Sequence, residues 1–427
     1  MSTFTTSLVG QEEQAKRRLS ILLSHPTGNQ NIRNALLSLV EQNMLVEFWT
    51  TLAWNPASRW NGMLPGGVRS QLARRAFPEA PTNLVKCVPS REIVRLLARG
   101  SFLHDLLCSG ERPFSVISMY RHFDGAVARR VKTASLDAVY AYEGGALRTF
   151  REAKKTGIAT VYELPSSYWY WECELLAEEA QRNPQFSRLL PKLMDSPKHM
   201  EWKDEELRLA DVVIVPSQHV RDTLAGVVAD ERIRIVNYGA PPVRPRRPSE
   251  SEARRPLRVL FVGSLVQRKG IGYLLDALDS LGADVELTLI GGRVAPNDRV
   301  DAACRRWRWF ETLTYDQVLD VMMESDVLAL PSLCEAFGLV VTEALACGLP
   351  VIVTRNVGAS DLIVDEREGF VVPLCSAAAI AERLDILNRN RKLLAAMSRN
   401  AQTTAAEQTW ESYRARLAET VRAELWH

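Results

Sequence analysis

The sequence lacks the features that mark secreted, membrane-spanning and nucleic-acid-binding proteins. Its seven cysteines are an odd number and include no Cys-x-x-Cys pair, which argues against a disulfide framework and against a metal site. No run of 18 apolar residues occurs, and residues 1–16 are polar, so neither a membrane-spanning helix nor a secretory leader is predicted. The formal net charge is only +2, so we expect no nucleic-acid partner. Together these absences predict a cytoplasmic protein with reduced thiols.

The length and the distribution of charge indicate two domains. The 427 residues exceed what one ordinary core covers, and we expect two domains of about 200 residues each. Residues 1–160 hold 21 Lys and Arg against 12 Asp and Glu, whereas residues 161–240 hold 9 against 14. A basic first part fits an anionic acceptor or membrane surface, and a chance excess on a solvated surface explains it equally well.

One basic and apolar segment, residues 91–107, has two interpretations. Its sequence REIVRLLARGSFLHDLL mixes arginine with leucine, isoleucine and phenylalanine. An interfacial helix of this composition would give peripheral contact with the inner face of an anionic membrane. An ordinary amphipathic surface helix has the same pattern.

The first part of the chain, residues 1–240, reads as a Rossmann-like domain. An apolar run at 20–24 leads into a turn with His25, Gly28 and Asn29, and then into a helical pattern at 32–41. Alternating strands and helices predict a parallel sheet. The further strand candidates are 46–50, 85–88, 116–119, 138–141, 160–164 and 212–215.

A second domain of the same kind is predicted after a linker. Residues 241–256 are rich in proline and arginine, which disfavours both helix and sheet. The pattern then restarts and predicts a Rossmann-like domain at 257–400, followed by a helical segment at 401–427 that packs back toward the first domain. The strand candidates in it are 258–262, 286–290, 327–330, 350–354 and 369–372.

Two neighbouring cations follow the first strand of the second domain. Gly263 ends that strand, and Arg268 and Lys269 stand just before a helix. Arginine and lysine neutralise phosphate charge, and open sheets of this kind bind ligands at the carboxyl ends of their strands. An exposed basic turn has the same sequence, so the pattern alone leaves both interpretations open.

Two carboxylates enclose a Phe-Gly pair later in this domain. Glu335 falls in the loop after the 327–330 strand, and Glu343 falls one to two turns inside the following helix, predicted at 339–346. Gly338 allows close approach of the backbone to a ligand. A carboxylate such as that of Glu343 can accept hydrogen bonds from both hydroxyls of a ribose. A solvated helix face would explain Glu343 but not the loop carboxylate.

These residues resemble retaining glycosyltransferases of family 4, the glycosyl transferases group 1, which have the GT-B fold. The resemblance is specific over residues 257–373 and weaker at 210–217. The fold implied is α/β, with two Rossmann-like domains facing each other across an interdomain cleft. The motifs that carry it are G-x-L-x-x-x-K-G at 263–270, Pro331-Ser332, E-x7-E at 335–343, A-x-G-x-P at 346–350, Gly358 and Gly369.

The resemblance implies transfer of a sugar from a nucleotide-diphosphate donor to a saccharide or lipid-linked acceptor, in cell-surface polysaccharide or glycolipid synthesis. The implied reaction retains anomeric configuration and needs no metal or other cofactor, the nucleotide sugar being a co-substrate. The residues that the resemblance assigns are Glu335, Lys269 and Arg268 for catalysis, with Gly263, Ser264, Phe337, Gly338, Leu339 and Glu343 for donor binding.

The sequence departs from this family at two places. Ser264 stands where the family usually has arginine. Many members also carry a histidine after the strand that corresponds to 160–164, where it reaches the donor sugar, and here that strand runs into Pro165-Ser166-Ser167. A donor that is a 6-deoxy sugar would remove the need for this polar partner. Replacement by another residue of this chain explains the departure equally well.

Three groups in the first domain are candidates for the acceptor side. They are His25, Gly28 and Asn29 after the first strand, His122 and Asp124 after the predicted 116–119 strand, and Glu143 after the 138–141 strand. Each also fits a turn or helix-cap role. Two alternatives to sugar transfer share the architecture: a non-hydrolysing nucleotide-sugar epimerase and a catalytically degenerate binding protein.

Overall fold

The computed structural model describes residues 18–56, 69, 72–98, 106–108, 112–190, 196–245 and 255–426. Within these ranges, thirteen strands form two open sheets. The first sheet has the order β3-β2-β1-β4-β5-β6-β7, and the second has the order β10-β9-β8-β11-β12-β13. In chain order the strands are β1 Ile21–Ser24, β2 Leu45–Thr50, β3 Val85–Cys87, β4 Ala138–Tyr142, β5 Ala159–Glu163, β6 Val212–Val215, β7 Ile233–Ile235, β8 Leu257–Val262, β9 Val285–Ile290, β10 Arg308–Phe310, β11 Val327–Leu330, β12 Val351–Thr354 and β13 Gly369–Val372.

Helices connect most consecutive strands. In chain order they are α1 Gln30–Glu41, α2 Ser90–Ala98, α3 Val116–Val131, α4 Leu147–Thr156, α5 Trp169–Arg182, α6 Pro197–Leu209, α7 Gln218–Thr223, α8 Ile271–Leu281, α9 Asp298–Arg306, α10 Tyr315–Glu324, α11 Leu339–Ala346, α12 Ala377–Arg389, α13 Arg391–Glu407 and α14 Trp410–Leu425.

The central strands of both sheets are parallel and buried. In the first sheet Ile21 of β1 lies opposite Ala138 of β4, and in the second Val259 of β8 lies opposite Val327 of β11. All residues of β1, β4, β11 and β12 are buried. Continuous apolar strands of this kind are typical of parallel sheets that are covered on both faces. The two predicted Rossmann-like sheets are confirmed.

The described chain divides into two compact units. The first unit comprises the described parts of 1–163, 196–214 and 414–427, and the second comprises those of 164–195 and 215–413. The second unit therefore includes α5 and α7, which the sequence analysis assigned to the first domain. Residues 414–426 belong to the first unit, where the Ser38 hydroxyl donates to the Arg414 carbonyl over 2.7 Å and the Arg414 guanidinium lies 3.0 Å from Glu41.

Each sheet has one point at which the strand order reverses. In the first unit the order runs from β1 outward to β2 and β3, and the chain then returns to β4 on the other side of β1. In the second sheet the same reversal falls between β8 and β11. Loops that follow the strands at such a point diverge and leave room for a ligand.

The predicted strand at 116–119 is wrong, because these residues start helix α3. The Ser115 hydroxyl caps this helix by accepting the Ser118 amide over 3.2 Å. Met119, Phe123 and Val127 recur at every fourth position and are buried. Their helical period decided the structure, whereas the short apolar run alone suggested a strand.

Most other predicted elements are confirmed within one or two residues, and two edge strands were missed. The strands β7 and β10 have three residues each and carry arginine in place of a continuous apolar run. Such short edge strands give little periodic signal. Residues 246–254 of the predicted linker lie outside the described residues.

The segment predicted at 91–107 is described only in part. Helix α2 covers Ser90–Ala98, and residues 99–105 lie outside the described residues. Ile93 and Leu97 are exposed on α2. In the parts of the chain that the structure describes, we find no helix with both the length and the apolar content needed to cross a bilayer.

Candidate active site

The loops after β8 and β11 meet at the reversal point of the second unit. Residues Gln267–Lys269 form a single turn of 3-10 helix, and Gly270 ends it with a positive φ of 73°. A Cβ atom at Gly270 would lie 2.0 Å from the carbonyl oxygen of Pro331, so only glycine fits between the two loops. The Leu333 amide donates to the Arg268 carbonyl over 2.8 Å, which joins the loops a second time.

The two predicted cations converge on the predicted carboxylate. Lys269 Nζ lies 3.2 Å from Glu335 Oε2, and an Arg268 guanidinium nitrogen lies 3.7 Å from the same oxygen. The Arg268 guanidinium also donates to the Cys334 carbonyl over 2.8 Å. Burial lowers the pKa of Arg268, but the attraction of Glu335 and its neighbours outweighs burial and raises it overall. The Arg268 and Lys269 side chains are both partly shielded from water, where attraction to an anion is strong.

The lysine lies directly above the end of strand β8. Gly263 has a φ of 135°, and a Cβ atom there would come within 2.9 Å of Lys269 Nζ. Any larger residue would push the ammonium group away. Ser264, next along the chain, is exposed and supplies a hydroxyl where the sequence comparison expected a cation.

Backbone hydrogen bonds fix the loop that carries Glu335. Its amide donates to the Asn356 carbonyl and its carbonyl accepts the Gly358 amide, each over 2.9 Å. Gly338, with a φ of 84°, forms the N-terminal cap position of α11. Phe337 is buried and packs edge-on against Tyr238, with ring centroids 5.3 Å apart. The Phe337 side chain therefore supports the loop from inside, and Leu339 is half-buried at the start of α11.

Glu343 lies inside helix α11, as predicted. It is half-buried, and burial raises its pKa from 4.5 to about 7. The nearby Tyr315 has its pKa raised to about 12, first by burial and then by the charge of Glu343. A buried carboxyl group of this kind gains from ligand hydroxyls that donate to it.

A recess follows β9 on the side of the second sheet that leads to β10. It has a volume of about 310 Å³ and is lined by Arg293, Val294, Ala295, Pro296, Asp301 and Glu311. The Arg293 guanidinium pairs with Asp301 over 2.7 Å and lies 4.9 Å from the centre of the Trp309 ring. Leu265 pairs with Arg293 through the backbone, so the recess adjoins the loop after β8.

His219, which was not among the site residues expected from the sequence, lies on the helix that follows β6. The Ser217 hydroxyl donates to the Ala336 carbonyl over 2.7 Å, which places the start of α7 against that loop. His219 follows on α7, is buried, and has its Nε2 3.1 Å from the Ser167 hydroxyl. Burial lowers the pKa of His219 to about 4, against the opposing charges of Asp222 and Glu335. Nothing in the local sequence pattern distinguishes this histidine from an ordinary helix residue.

In the first unit, two predicted acceptor residues lie at the reversal point between β1 and β4. His25 follows β1, is buried, and packs edge-on against Tyr142 at 4.7 Å. Burial lowers its pKa to about 4, and its bond to the Thr27 carbonyl opposes this. Glu143 follows β4 and lies 3.3 Å from Lys203 Nζ.

The other acceptor candidates cap helices, pack against a ring or lie on helix α3. Asn29 caps α1 by accepting the Ile32 amide over 3.0 Å, and Gly28 lies against the Phe77 ring. Because 116–131 is a helix, His122 and Asp124 do not follow a strand as predicted. His122 is 3.4 Å from the Ser90 hydroxyl. Asp124 is buried.

Asp124 fixes the first turn of helix α4. Its carboxylate accepts the Arg148 amide over 2.7 Å and the Thr149 amide over 2.9 Å. These bonds satisfy amides that a helix start otherwise leaves without partners. Asp124 is therefore a helix cap, one of the two roles that the sequence left open for it.

Part of this chain is similar to known proteins. Residues 244–404 match the family model of Glycosyl transferases group 1. An uncharacterized glycosyltransferase of Methanocaldococcus jannaschii is 29% identical over 156 residues, which cover 36% of this chain and 44% of the relative. The D-inositol 3-phosphate glycosyltransferase of Xylanimonas cellulosilytica is 28% identical over 259 residues, covering 52% and 60%. The chain therefore spans less than two thirds of these relatives, and the matches support the glycosyl transferases group 1 family.

A solved structure shows the same fold over nearly the whole chain. HepE from Anabaena, in complex with UDP, has a TM-score of 0.63 at 16% identity, covering 95% of this chain and 100% of HepE. HepE in complex with UDP-glucose has a TM-score of 0.59 at 17% identity, with the same coverage. At such identities the likeness shows the fold alone. The fold is GT-B, with two Rossmann-like domains, as predicted.

Proposed function

We propose that this chain is a retaining glycosyltransferase that takes a sugar from a nucleoside-diphosphate donor held by the second unit. The observation that carries the proposal is the convergence of Lys269 and Arg268 on Glu335 at the reversal point of the second sheet. Two cations that share a single carboxylate have a net positive charge left for a diphosphate. The family match over 244–404 supports the same reaction class.

The proposed chemistry needs no separate base. The acceptor hydroxyl oxygen forms a bond to the anomeric carbon as the bond from that carbon to the β-phosphate oxygen breaks. The hydroxyl proton passes to the leaving diphosphate, and attack on the same face of the sugar retains the configuration. Lys269 and Arg268 neutralise the negative charge that grows on the leaving group. Glu335, freed from part of its ion pairing, contacts the transferred sugar and its developing positive charge.

The nucleoside is placed by the remaining groups of the second unit. Glu343 accepts hydrogen bonds from the ribose hydroxyls. These hydroxyls replace water around a carboxyl group whose pKa burial raises. The recess after β9 adjoins the loop that carries the cations and has room for a base. UDP is the nucleotide bound to HepE, which makes it the first candidate here.

For the donor sugar and the acceptor we propose only a chemical class. The absence of histidine from the loop after β5 supports a 6-deoxy sugar, whereas His219 offers an imidazole close to the Glu335 loop and supports a hydroxylated one. His25 and Glu143 suit the hydroxyls of a saccharide or lipid-linked acceptor in polysaccharide or glycolipid synthesis. A cytoplasmic location with peripheral membrane contact and independence from metal complete the proposal.

Thermal stability against a panel of ligands tests the donor site. Wild type and Glu343→Ala are heated with UDP, GDP, ADP, CDP and TDP and with their common sugars, with and without EDTA. A ligand at 100 times its dissociation constant stabilises the wild type by about 2.7 kcal/mol, and the variant loses that shift. If no nucleotide shifts the wild type at millimolar concentration, the donor site is refuted and a degenerate binding protein replaces it.

The identified donor then tests the reaction. Incubation with saccharide and lipid-linked acceptors, followed by NMR of the product, should show a glycoside with the donor's anomeric configuration. Turnover of 6-deoxy and 6-hydroxy donors is compared in the same assay. A change of configuration within the free nucleotide sugar, without transfer, would identify an epimerase instead.

A further inference from the structure

A fully buried carboxylate lies beneath the turn that carries the two cations. Glu179 on α5 has no exposed surface and accepts three short hydrogen bonds. Gln267 Nε2 and Asn183 Nδ2 each donate to its Oε1 over 2.7 Å, and the Tyr273 hydroxyl donates to its Oε2 over 2.8 Å. The Arg182 guanidinium is 3.4 Å away. Burial of a charge is costly, and this set of donors offsets the cost.

The partners of Glu179 belong to the cationic turn and to the helix that follows it. Gln267 is the first residue of the turn Gln267–Lys269, and it is itself buried. Its side-chain oxygen accepts the Gly272 amide over 3.1 Å. Tyr273 lies in the first turn of α8. One carboxylate thus fixes the backbone on both sides of Arg268 and Lys269.

The ion pairs of Arg268 and Lys269 with Glu335 differ from the bond between Gln267 and Glu179, because a ligand would compete for the ion pairs. Lys269 pairs with Glu335, and a diphosphate that takes up the lysine must weaken that pair. The bond from Gln267 to Glu179 is buried and need not change when phosphate binds. A bound charge is held best by groups whose positions are set beforehand.

We propose that Glu179 is a positioning residue that acts through Gln267 to hold Arg268 and Lys269 in place for the donor diphosphate. This role rests on the proposed function, since it requires a phosphate-bearing ligand at the cationic turn. Glu179 does not touch the ligand. Its loss therefore weakens the recognition of phosphate while leaving the recognition of the nucleoside intact.

The test compares UDP with uridine, alongside GDP with guanosine and ADP with adenosine, by calorimetric titration of the full chain. In Glu179→Gln, the side-chain NH2 faces donors where a carboxylate oxygen accepted them, and at least one bond is lost. We expect the affinity for the diphosphate to fall about tenfold or more, by analogy with the loss of metal affinity when a residue that supports a metal ligand is replaced. The affinity for the nucleoside should stay within twofold. A lower kcat at saturating donor should accompany this.

Glu178→Gln is the matched control. Glu178 is the residue before Glu179, its side chain is 69% exposed, and its carboxylate makes a long contact of 3.9 Å with Arg182. This variant should keep the wild-type ratio of diphosphate to nucleoside affinity. Gln267→Met removes the connection while leaving Glu179 its other donors, and it replaces Glu179→Gln if that variant does not fold. If the two act as one unit, the double variant should be no weaker for the diphosphate than the poorer single variant.

Two results would overturn the proposal, and they are distinguishable. If Glu179→Gln and Gln267→Met lower the melting temperature but keep the wild-type ratio of affinities, the carboxylate supports only the fold. In that case the glycosyltransferase proposal stands. If the wild type binds none of the three diphosphates, the donor site itself is refuted, and the role of Glu179 fails with it.

Discussion

The reversal points of the two sheets have the same topology and different chemistry. In the second unit two cations and a carboxylate converge within 3.7 Å. In the first unit the corresponding loops hold His25, which burial keeps neutral, and Glu143, which pairs with Lys203 of α6. The fold thus determines where a ligand can bind, and the side chains determine its class. On the proposed function, the second unit binds the diphosphate and the first binds an uncharged, hydroxyl-rich acceptor.

The strongest way to break this comparison is to remove one cation from each unit. Lys269→Ala should lower kcat/KM by about 10²–10³-fold, because it removes a charge that stabilises the leaving group. Lys203→Ala in the first unit should change the KM for acceptor by about tenfold at most, which is about 1.4 kcal/mol, because its partner Glu143 is proposed to contact acceptor hydroxyls and not the leaving group. Steady-state kinetics with each substrate varied in turn measure both effects.

Arg389→Ala serves as the control for charge removal. Arg389 is 79% exposed on helix α12 and should leave kcat/KM within twofold. Equal losses for Lys269→Ala and Lys203→Ala would contradict the assignment of the diphosphate to the second unit.

A second comparison uses two glycines with the same backbone angle. Gly270 in the second unit and Gly157 in the first have φ values of 73° and 71°. A Cβ at Gly270 would lie 2.0 Å from the Pro331 carbonyl oxygen, whereas nothing lies within 4 Å of one at Gly157. Gly157→Ala should cost about 1–2 kcal/mol of unfolding free energy, from left-handed strain alone. Gly270→Ala should cost about 3 kcal/mol or more, because backbone must also move.

Urea unfolding of both glycine variants gives these values directly. Comparable costs at the two positions would show that the loops after β8 and β11 can separate without penalty. The close approach of those loops would then not be what positions the cations.

The buried carboxyl group of Glu343 predicts a dependence of stability on pH. Its pKa is about 7 in the folded chain against an ordinary value of 4.5, so the folded state binds more protons between these values. Stability therefore falls as pH rises through this window. Without ligand, Glu343→Gln should remove about 2–3 kcal/mol of the loss between pH 5 and 8.

Urea unfolding at a series of pH values from 5 to 8 checks this prediction. Glu178→Gln, which removes an exposed carboxylate, should keep the wild-type dependence on pH. An identical slope for Glu343→Gln and wild type would show that Glu343 is ionised in the folded state at pH 5.

The smallest expected effect concerns two buried histidines, His25 at the reversal point of the first sheet and His219 on α7. Burial lowers the pKa of both His25 and His219 to about 4 from 6.5. As the pH falls, the histidines of the unfolded chain are protonated before those of the folded chain. The free energy of unfolding therefore decreases as the pH falls from 6.5 toward 4. His219→Gln, whose amide can still reach Ser167, should reduce the loss between pH 7 and 5 by about 2 kcal/mol.

His25→Gln should have an equal effect on the acid side, since the two histidines are lowered to the same value. His122→Gln should have a smaller effect, because that ring is partly exposed although burial, Arg91 and Arg129 also lower its pKa. Melting temperatures at pH 7 and pH 5 provide the measurement. A larger effect at one position would show that the surroundings of His25 and His219 differ in hydration.

The sequence predicted the candidate donor loops of the second unit better than the candidate acceptor loops of the first, for a physical reason. The strands that precede the donor loops, β8 and β11, are largely apolar runs, and the candidate residues follow them in the chain, as Lys269 follows β8 and Glu335 follows β11. In the first unit a short apolar run at 116–119 was mistaken for a strand, and with it His122 and Asp124 were placed after a strand end. Helical periodicity that extends to Val131 needed a longer window to recognise.

Some functional groups have no local signal. His219 and Glu179 are distant in sequence from Glu335 and Gln267, and they meet them only because α5 and α7 fold into the second unit. In the sequence, Glu179 resembles the other glutamates of α5, which are typical of a solvated helix face, and only its partners in the structure distinguish it. Hydrogen bonds across 88 residues of chain, such as that from Gln267 to Glu179, leave no spacing that a sequence can reveal.

The sequence by itself determined the parallel sheets, the glycine-bearing loops after them and the identity of the charged residues in those loops, because each depends on neighbours in the chain. Only the tertiary structure decided that Lys269 and Arg268 share one carboxylate, that burial shifts the pKa of Glu343 and His219, and that Glu179 lies beneath the cationic turn. Distances and desolvation depend on which strands become neighbours, and strand order is a property of the folded sheet.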